Sequence, residues 1–232
     1  MFEIIWNDFL YKPLFNALIW LYNNWAHQNL GWAVVYLTIG LRLLLLPTAI
    51  IGEKSRIKNA GVTDEMERIE KEFHNDPILK KEELRKIVKK RKIKPWTSVV
   101  NMGVQLLVLV LLYQVFIRGI TGERILKVLY DWIDFPGSIN IMFLGFNLGE
   151  RHDIIWSGIV GLFLLVEIYL DYRKTKPQLS KSDLFYFILF PAVSFLLLWW
   201  LPMVKSVFIL TSLIFSAILH QFMKLLFKPK KS

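Results

Sequence analysis

Arg42 stands in the run Leu37-Thr38-Ile39-Gly40-Leu41-Arg42-Leu43-Leu44-Leu45-Leu46-Pro47, with aliphatic residues on both sides. An arginine inside an apolar span costs about 2.5–3.5 kcal/mol on insertion scales, so such a residue normally faces a polar cavity or a partner. Arg42 lies nine residues before Ile51, the end of the apolar run, or about 13 Å at helical rise. The competing account is that its stem snorkels to the nearer head groups. Thr38, four residues earlier, shares its helical face. In a second apolar run Asn101 and Gln105 are likewise four apart. Two polar stripes at similar depth could line one wet groove; the plainer alternative is hydrogen bonding that joins helices.

Other chemistries find little support. The chain has no cysteine, which excludes disulfides, thiolate metal sites and thiol nucleophiles. The four histidines have no metal-ligand spacing, and neither a phosphate-binding glycine loop nor an HExxH motif occurs. No Ser–His–Asp arrangement is supported, so covalent catalysis and a cofactor are not expected. Glu167 and His220 near the ends of their spans could titrate, pair with Lys or Arg, or be solvated.

The elements that would position Arg42 follow from composition. Of 232 residues, 54% are hydrophobic, yet Lys+Arg outnumber Asp+Glu by 29 to 19, for a net charge of +10. Mean hydropathy is +0.41. Together these imply apolar spans in lipid and basic segments outside it, and argue against a soluble enzyme or a disordered chain. Continuous rather than alternating apolar runs argue against a β-barrel.

The fold class expected is an all-α membrane protein with five transmembrane helices. An external interfacial amphipathic helix occupies 1–29, with Leu14, Ala17, Leu18 and Leu21 on one face; a very short extra span is the alternative. A first transmembrane helix covers 30–51, a cytoplasmic helical hairpin 52–97, and a second span 98–117. An external loop, 118–153, carries little signal. The third span is 154–170, a cytoplasmic loop 171–183, the fourth and fifth helices 184–227, and a short basic tail 228–232.

Residues 53–97 hold 14 Lys+Arg and the loop 171–183 four. Lys224, Lys228, Lys230 and Lys231 add four more, against six on the other side, among them Lys205. By the positive-inside rule the N-terminus is outside and the C-terminus cytoplasmic. In the hairpin, Asp76 and Pro77 suit the start of a helix. That helix ends in Lys89, Lys90, Arg91, Lys92 and Lys94. The cluster is either a solvated charged face or a docking surface for lipid head groups, ribosomal RNA or an acidic nascent chain.

These residues resemble the YidC/Oxa/Alb family of membrane protein insertases. The stretch from Leu30-Gly31-Trp32 through Thr38 and Arg42 to Pro47 is similar to the family's first core span. Met66 to Pro77 is similar to its cytoplasmic hairpin, and Ile93-Lys94-Pro95 through Gln105 to Leu112-Tyr113 to the entry of the second span. Phe143-Leu144-Gly145-Phe146-Asn147-Leu148 resembles the motif before the third.

The resemblance implies a hydrophilic groove open to cytoplasm and lipid and closed outside, with Arg42 and Gln105 at the family's groove positions. It implies insertion of nascent membrane protein clients without ATP, alone or with the Sec translocon. Ribosome and anionic lipids are further partners, DNA is not, and the location is a bacterial plasma membrane. A small-solute or anion transporter using Arg42, and a non-inserting ribosome or membrane scaffold, are the alternatives.

Overall fold

The computed structural model describes residues 5–58, 68–70, 72–73, 76–90, 103, 106, 109–110, 113, 128–175 and 181–226. Among them a π-helical segment, Ile5–Tyr11, leads into α1 (Lys12–Asn24), followed by α2 (Leu30–Leu44), α3 (Leu46–Lys58) and α4 (Pro77–Lys90). Strands β1 (Met142–Phe143) and β2 (Phe146–Asn147) precede α5 (Ile154–Thr175), α6 (Lys181–Trp200) and α7 (Val204–Leu226). The helical membrane architecture is as expected; β1 and β2 are the addition to it.

Three of these helices are long and apolar enough to cross a membrane: Ile154–Arg173, Asp183–Trp200 and Val204–Leu226. A fourth span results if Leu30–Leu44 and Leu46–Lys54 form one broken crossing. The expected second span, 98–117, and the stretch 59–75 of the expected hairpin lie largely outside the described residues. The first span, expected over 30–51, is helical as Leu30–Leu44 and Leu46–Lys58, with a break at Leu45. Pro47 explains the break, because it has no N–H to donate and its ring meets the carbonyl four residues back, that of Leu43.

The chain forms two compact units, residues 1–44 with 104–217 and residues 45–103 with 218–232. In the first, α1 begins with Pro13 in its opening turn, where a missing N–H is harmless. A turn through His27 and Gln28, both in the left-handed region, delivers Asn29. Its Oδ1 accepts from Gly31 N at 3.0 Å and Trp32 N at 3.3 Å, capping α2. Its Nδ2 donates to the carbonyl of Met142 at 2.8 Å. One asparagine therefore both starts the helix and fixes a segment more than a hundred residues away.

The loop that carried little signal is the anchor of this unit. Leu144 (φ 49°) and Gly145 (φ 85°) make the two-residue turn joining β1 to β2; positive φ at both central positions matches the twist of a tight hairpin. Leu30 N donates to Asn140 O at 3.0 Å, Val204 N to Leu148 O at 3.1 Å, and Met203 N to Glu150 O at 2.9 Å. The starts of α2 and α7 are thus tied to one short stretch of chain.

The core joins the same elements. Phe15, Ile19 and Tyr22 of α1, Leu30 and Val34 of α2, Phe143, Leu148, and Val204 and Phe208 of α7 are all buried in one cluster. A second cluster joins Val160 and Leu164 of α5 to Leu198 of α6. Outward on α6 and α7, Ile188, Leu197, Ile218 and Phe222 are all more than half exposed, a face that suits lipid as solvent.

Gly31 marks the closest approach: a Cβ there would collide with the Phe143 ring. Gly31→Ala is expected to lower stability by about 1–3 kcal/mol through overpacking. At Gly158 nothing lies within 4 Å of an added Cβ, so Gly158→Ala should be neutral or gain up to about 1 kcal/mol from helix propensity. Thermal unfolding of the two variants in detergent checks the contrast; equal midpoints would contradict it.

Candidate functional site

Arg42 lies in the last turn of α2, twelve residues after Leu30. With that helix anchored at Leu30, Arg42 is about 18 Å along it. Arg42 is half-buried, and Leu43 and Leu44 beside it are exposed.

Thr38, one turn earlier, is 1% exposed, and its Oγ1 donates to the carbonyl of Val34 at 2.6 Å. That bond spends the hydroxyl proton within its own helix and leaves oxygen lone pairs to accept. Asn101 and Gln105, the other two expected groove residues, lie outside the described residues.

In the second unit, Asp76 caps α4: its Oδ1 accepts from Ile78 N and Leu79 N, each at 3.0 Å. Lys89 and Lys90 are the last described residues of that helix. Arg91, Lys92 and Lys94 lie outside the described residues. Lys80 pairs with Glu70 at 3.3 Å, and Lys86 with Glu83 at 2.6 Å. The Glu83 hydrogen bond, with the Glu83 and Glu82 charges, holds the Lys86 ammonium above the usual lysine range; exposed pairs of this kind contribute little stability.

His220 departs from its expected partners. Its Nδ1 lies 2.7 Å from Oε2 of Glu53, with both side chains one-fifth exposed. The partner is thus a carboxylate at the end of the first broken run rather than Lys or Arg. The pairing joins residues 167 apart, which no local spacing announces.

Lys205 is the residue that sequence reasoning passed over as one outer charge among six. It is 3% exposed, and its Nζ sits 3.5 Å from the centroid of the Tyr113 ring. A single charge at the second position of a long apolar helix was the available signal.

Apolar helices of membrane-crossing length, one buried lysine and an arginine far along a further apolar helix define a multi-span membrane protein. Residues 20–230 match the family described as the 60Kd inner membrane protein, and the chain belongs to that family, the YidC/Oxa family.

Several proteins named membrane protein insertase YidC are similar to it. That of Herminiimonas arsenicoxydans is 27% identical over 73% of this chain and 29% of its own length. That of Clostridium tetani is 34% identical over 44% of this chain and 47% of its own. That of Aromatoleum aromaticum is 24% identical over 84% and 34%. The chain spans less than half the length of each of these relatives.

Proposed function

We propose that this chain is a membrane protein insertase. The observation that carries the reading is Arg42, held about 18 Å along α2 in a chain that belongs to the YidC/Oxa family. With Thr38, Asn101 and Gln105 it lines a polar groove open to the cytoplasm and to lipid.

An acidic outer segment of a nascent client enters the groove, drawn to the Arg42 charge, and its path across hydrocarbon shortens. The client's apolar helix then leaves for the bilayer, and its burial drives the reaction. The membrane potential assists an acidic tail by about 2.3 kcal/mol per charge per 100 mV. No nucleotide is consumed, and the chain acts alone or beside the Sec translocon. The basic end of the hairpin, Lys89, Lys90, Arg91, Lys92 and Lys94, receives the nascent chain from the ribosome and touches anionic lipid. The protein sits in a bacterial plasma membrane with its N-terminus outside, because 22 of its 29 Lys+Arg fall on one side.

The test is insertion of a short single-span client with an acidic N-terminal tail into liposomes that contain only this purified protein. Protection of the tail from added protease should require the protein. Protection equal to that of empty liposomes would remove autonomous insertion, and solute flux would then be measured. Changing the five basic hairpin residues to serine should weaken co-sedimentation of proteoliposomes with ribosome–nascent chains by well over tenfold, since each lysine or arginine near an anionic surface is worth about 1 kcal/mol before screening. Unchanged co-sedimentation would make the hairpin a solvated connector.

A further inference from the structure

The start of α7 carries a cation where burial is expensive. Lys205 is 3% exposed one residue after Val204, whose N–H is fixed to Leu148 O. Among the described residues no carboxylate lies within ion-pair distance of it; its side chain is held over the Tyr113 ring at 3.5 Å. A buried ammonium held by a ring face rather than by an anion lacks its strongest class of partner.

A second observation lies on the same helix. Ser212 is fully buried, and among the described residues its Oγ makes no hydrogen bond. Seven residues separate it from Lys205, which puts both on one face of α7 about 10 Å apart along the axis. A buried hydroxyl with no partner forfeits stability, so its unused capacity is open to a group that arrives. Both residues fall in the unit that contains Arg42. Because α2 and α7 start from one anchored loop, their rises can be compared: Lys205 comes first, then Ser212, then Arg42 about 18 Å in.

We propose that Lys205, with the Ser212 hydroxyl inward of it, is a second anion site that takes over a client's carboxylates from Arg42 and carries them toward the outer side. The proposal rests on the insertase reading and assigns the outer half of its path. Tyr113 is the displaceable cover: a carboxylate reaching Nζ replaces the ring as the ammonium's partner. The site selects acidic tails, since an amide offers the ammonium no charge.

The experiment uses the full chain in liposomes with two clients that differ only in the tail, three aspartates against three asparagines. A membrane-permeant carbodiimide, which joins a carboxylate to a neighbouring amine, is added during insertion, and cross-links are located by mass spectrometry. An aspartate-dependent cross-link at Lys205 is expected, absent with the asparagine tail. Lys205→Met should slow insertion of the aspartate tail by about ten- to hundredfold, as expected for one charge-assisted contact, and leave the asparagine tail within about twofold. Lys205→Arg, which keeps the charge but not the amine, should restore the rate and abolish the cross-link.

Equal slowing of both tails, or of neither, together with no cross-link at Lys205, would overturn the proposal while wild-type insertion still stood. A cross-link at Lys205 without any protein-dependent insertion would keep the anion site and remove the insertase reading. Neither signal would remove both.

Discussion

Arg42→Ala is expected to slow insertion of an acid-tailed client by about ten- to hundredfold. The reasoning is electrostatic. A hydrogen bond to a charged group is worth about 1.5–3 kcal/mol, and each 1.4 kcal/mol is a factor of ten. In a groove bounded by hydrocarbon the charge is screened less than at a surface. Arg42→Lys keeps the charge but loses the planar fork that grips a carboxylate with two bonds, so it should recover most of the rate without all of it. A client with a neutral tail should lose far less. The readout is the initial rate of tail protection in liposomes, with circular dichroism and detergent melting to show that each variant is folded. If Arg42→Ala inserted acidic and neutral tails at the wild-type rate, the charge would have no part in the mechanism.

Asn16→Leu is expected to cost about 2–4 kcal/mol, the largest stability loss argued for a single side chain in this molecule. Asn16 is 1% exposed. Its Nδ2 donates to Lys12 O at 2.7 Å and to Val128 O at 2.9 Å, and its Oδ1 accepts from Tyr130 N at 2.7 Å. Leucine fills a similar volume but strands the Val128 carbonyl and the Tyr130 N–H, each at about 1–3 kcal/mol if left buried and unmatched. For a protein of this size the melting temperature should fall by about 5–15 °C, and protease should reach the segment after Val128 sooner. The control is Asn24→Ala: its Nδ2 bonds to Trp20 O on an exposed surface, where the change should stay within about 0.5 kcal/mol. Equal melting of the two variants would show that Asn16 does not hold the loop.

The same residue shows where reading the chain stops. The spacing puts Leu14, Ala17, Leu18 and Leu21 on the apolar face of an amphipathic helix and gives Asn16 no part in it. The structure buries the three leucines and half-buries Ala17, but it also buries Phe15, Asn16, Ile19 and Tyr22, because α1 packs against α2 and shares one buried cluster with the loop and with α7. The Tyr22 hydroxyl accepts from Asn140 N at 2.9 Å, and Asn23 donates to Asp134 O at 2.8 Å. These contacts join residues 111 to 118 apart in sequence. A one-dimensional periodicity records which face of a helix is apolar, not what will cover it.

Sequence alone determined the class. Continuous apolar runs, segregated basic residues and the Arg42 stretch follow from the cost of placing charge and unpaired backbone in hydrocarbon. Those costs apply residue by residue, so they are visible in local order. The Asp76 cap was legible for the same reason, its bonds reaching only two and three residues ahead.

Tertiary structure decided the rest. It broke the first run at Leu45, committed the Thr38 proton to Val34, paired His220 with Glu53, and turned Lys205 from an outer charge into a buried cation over Tyr113. Burial and ionic partnership are properties of what surrounds a side chain, and for Lys205 and His220 those surroundings are supplied by residues far along the chain.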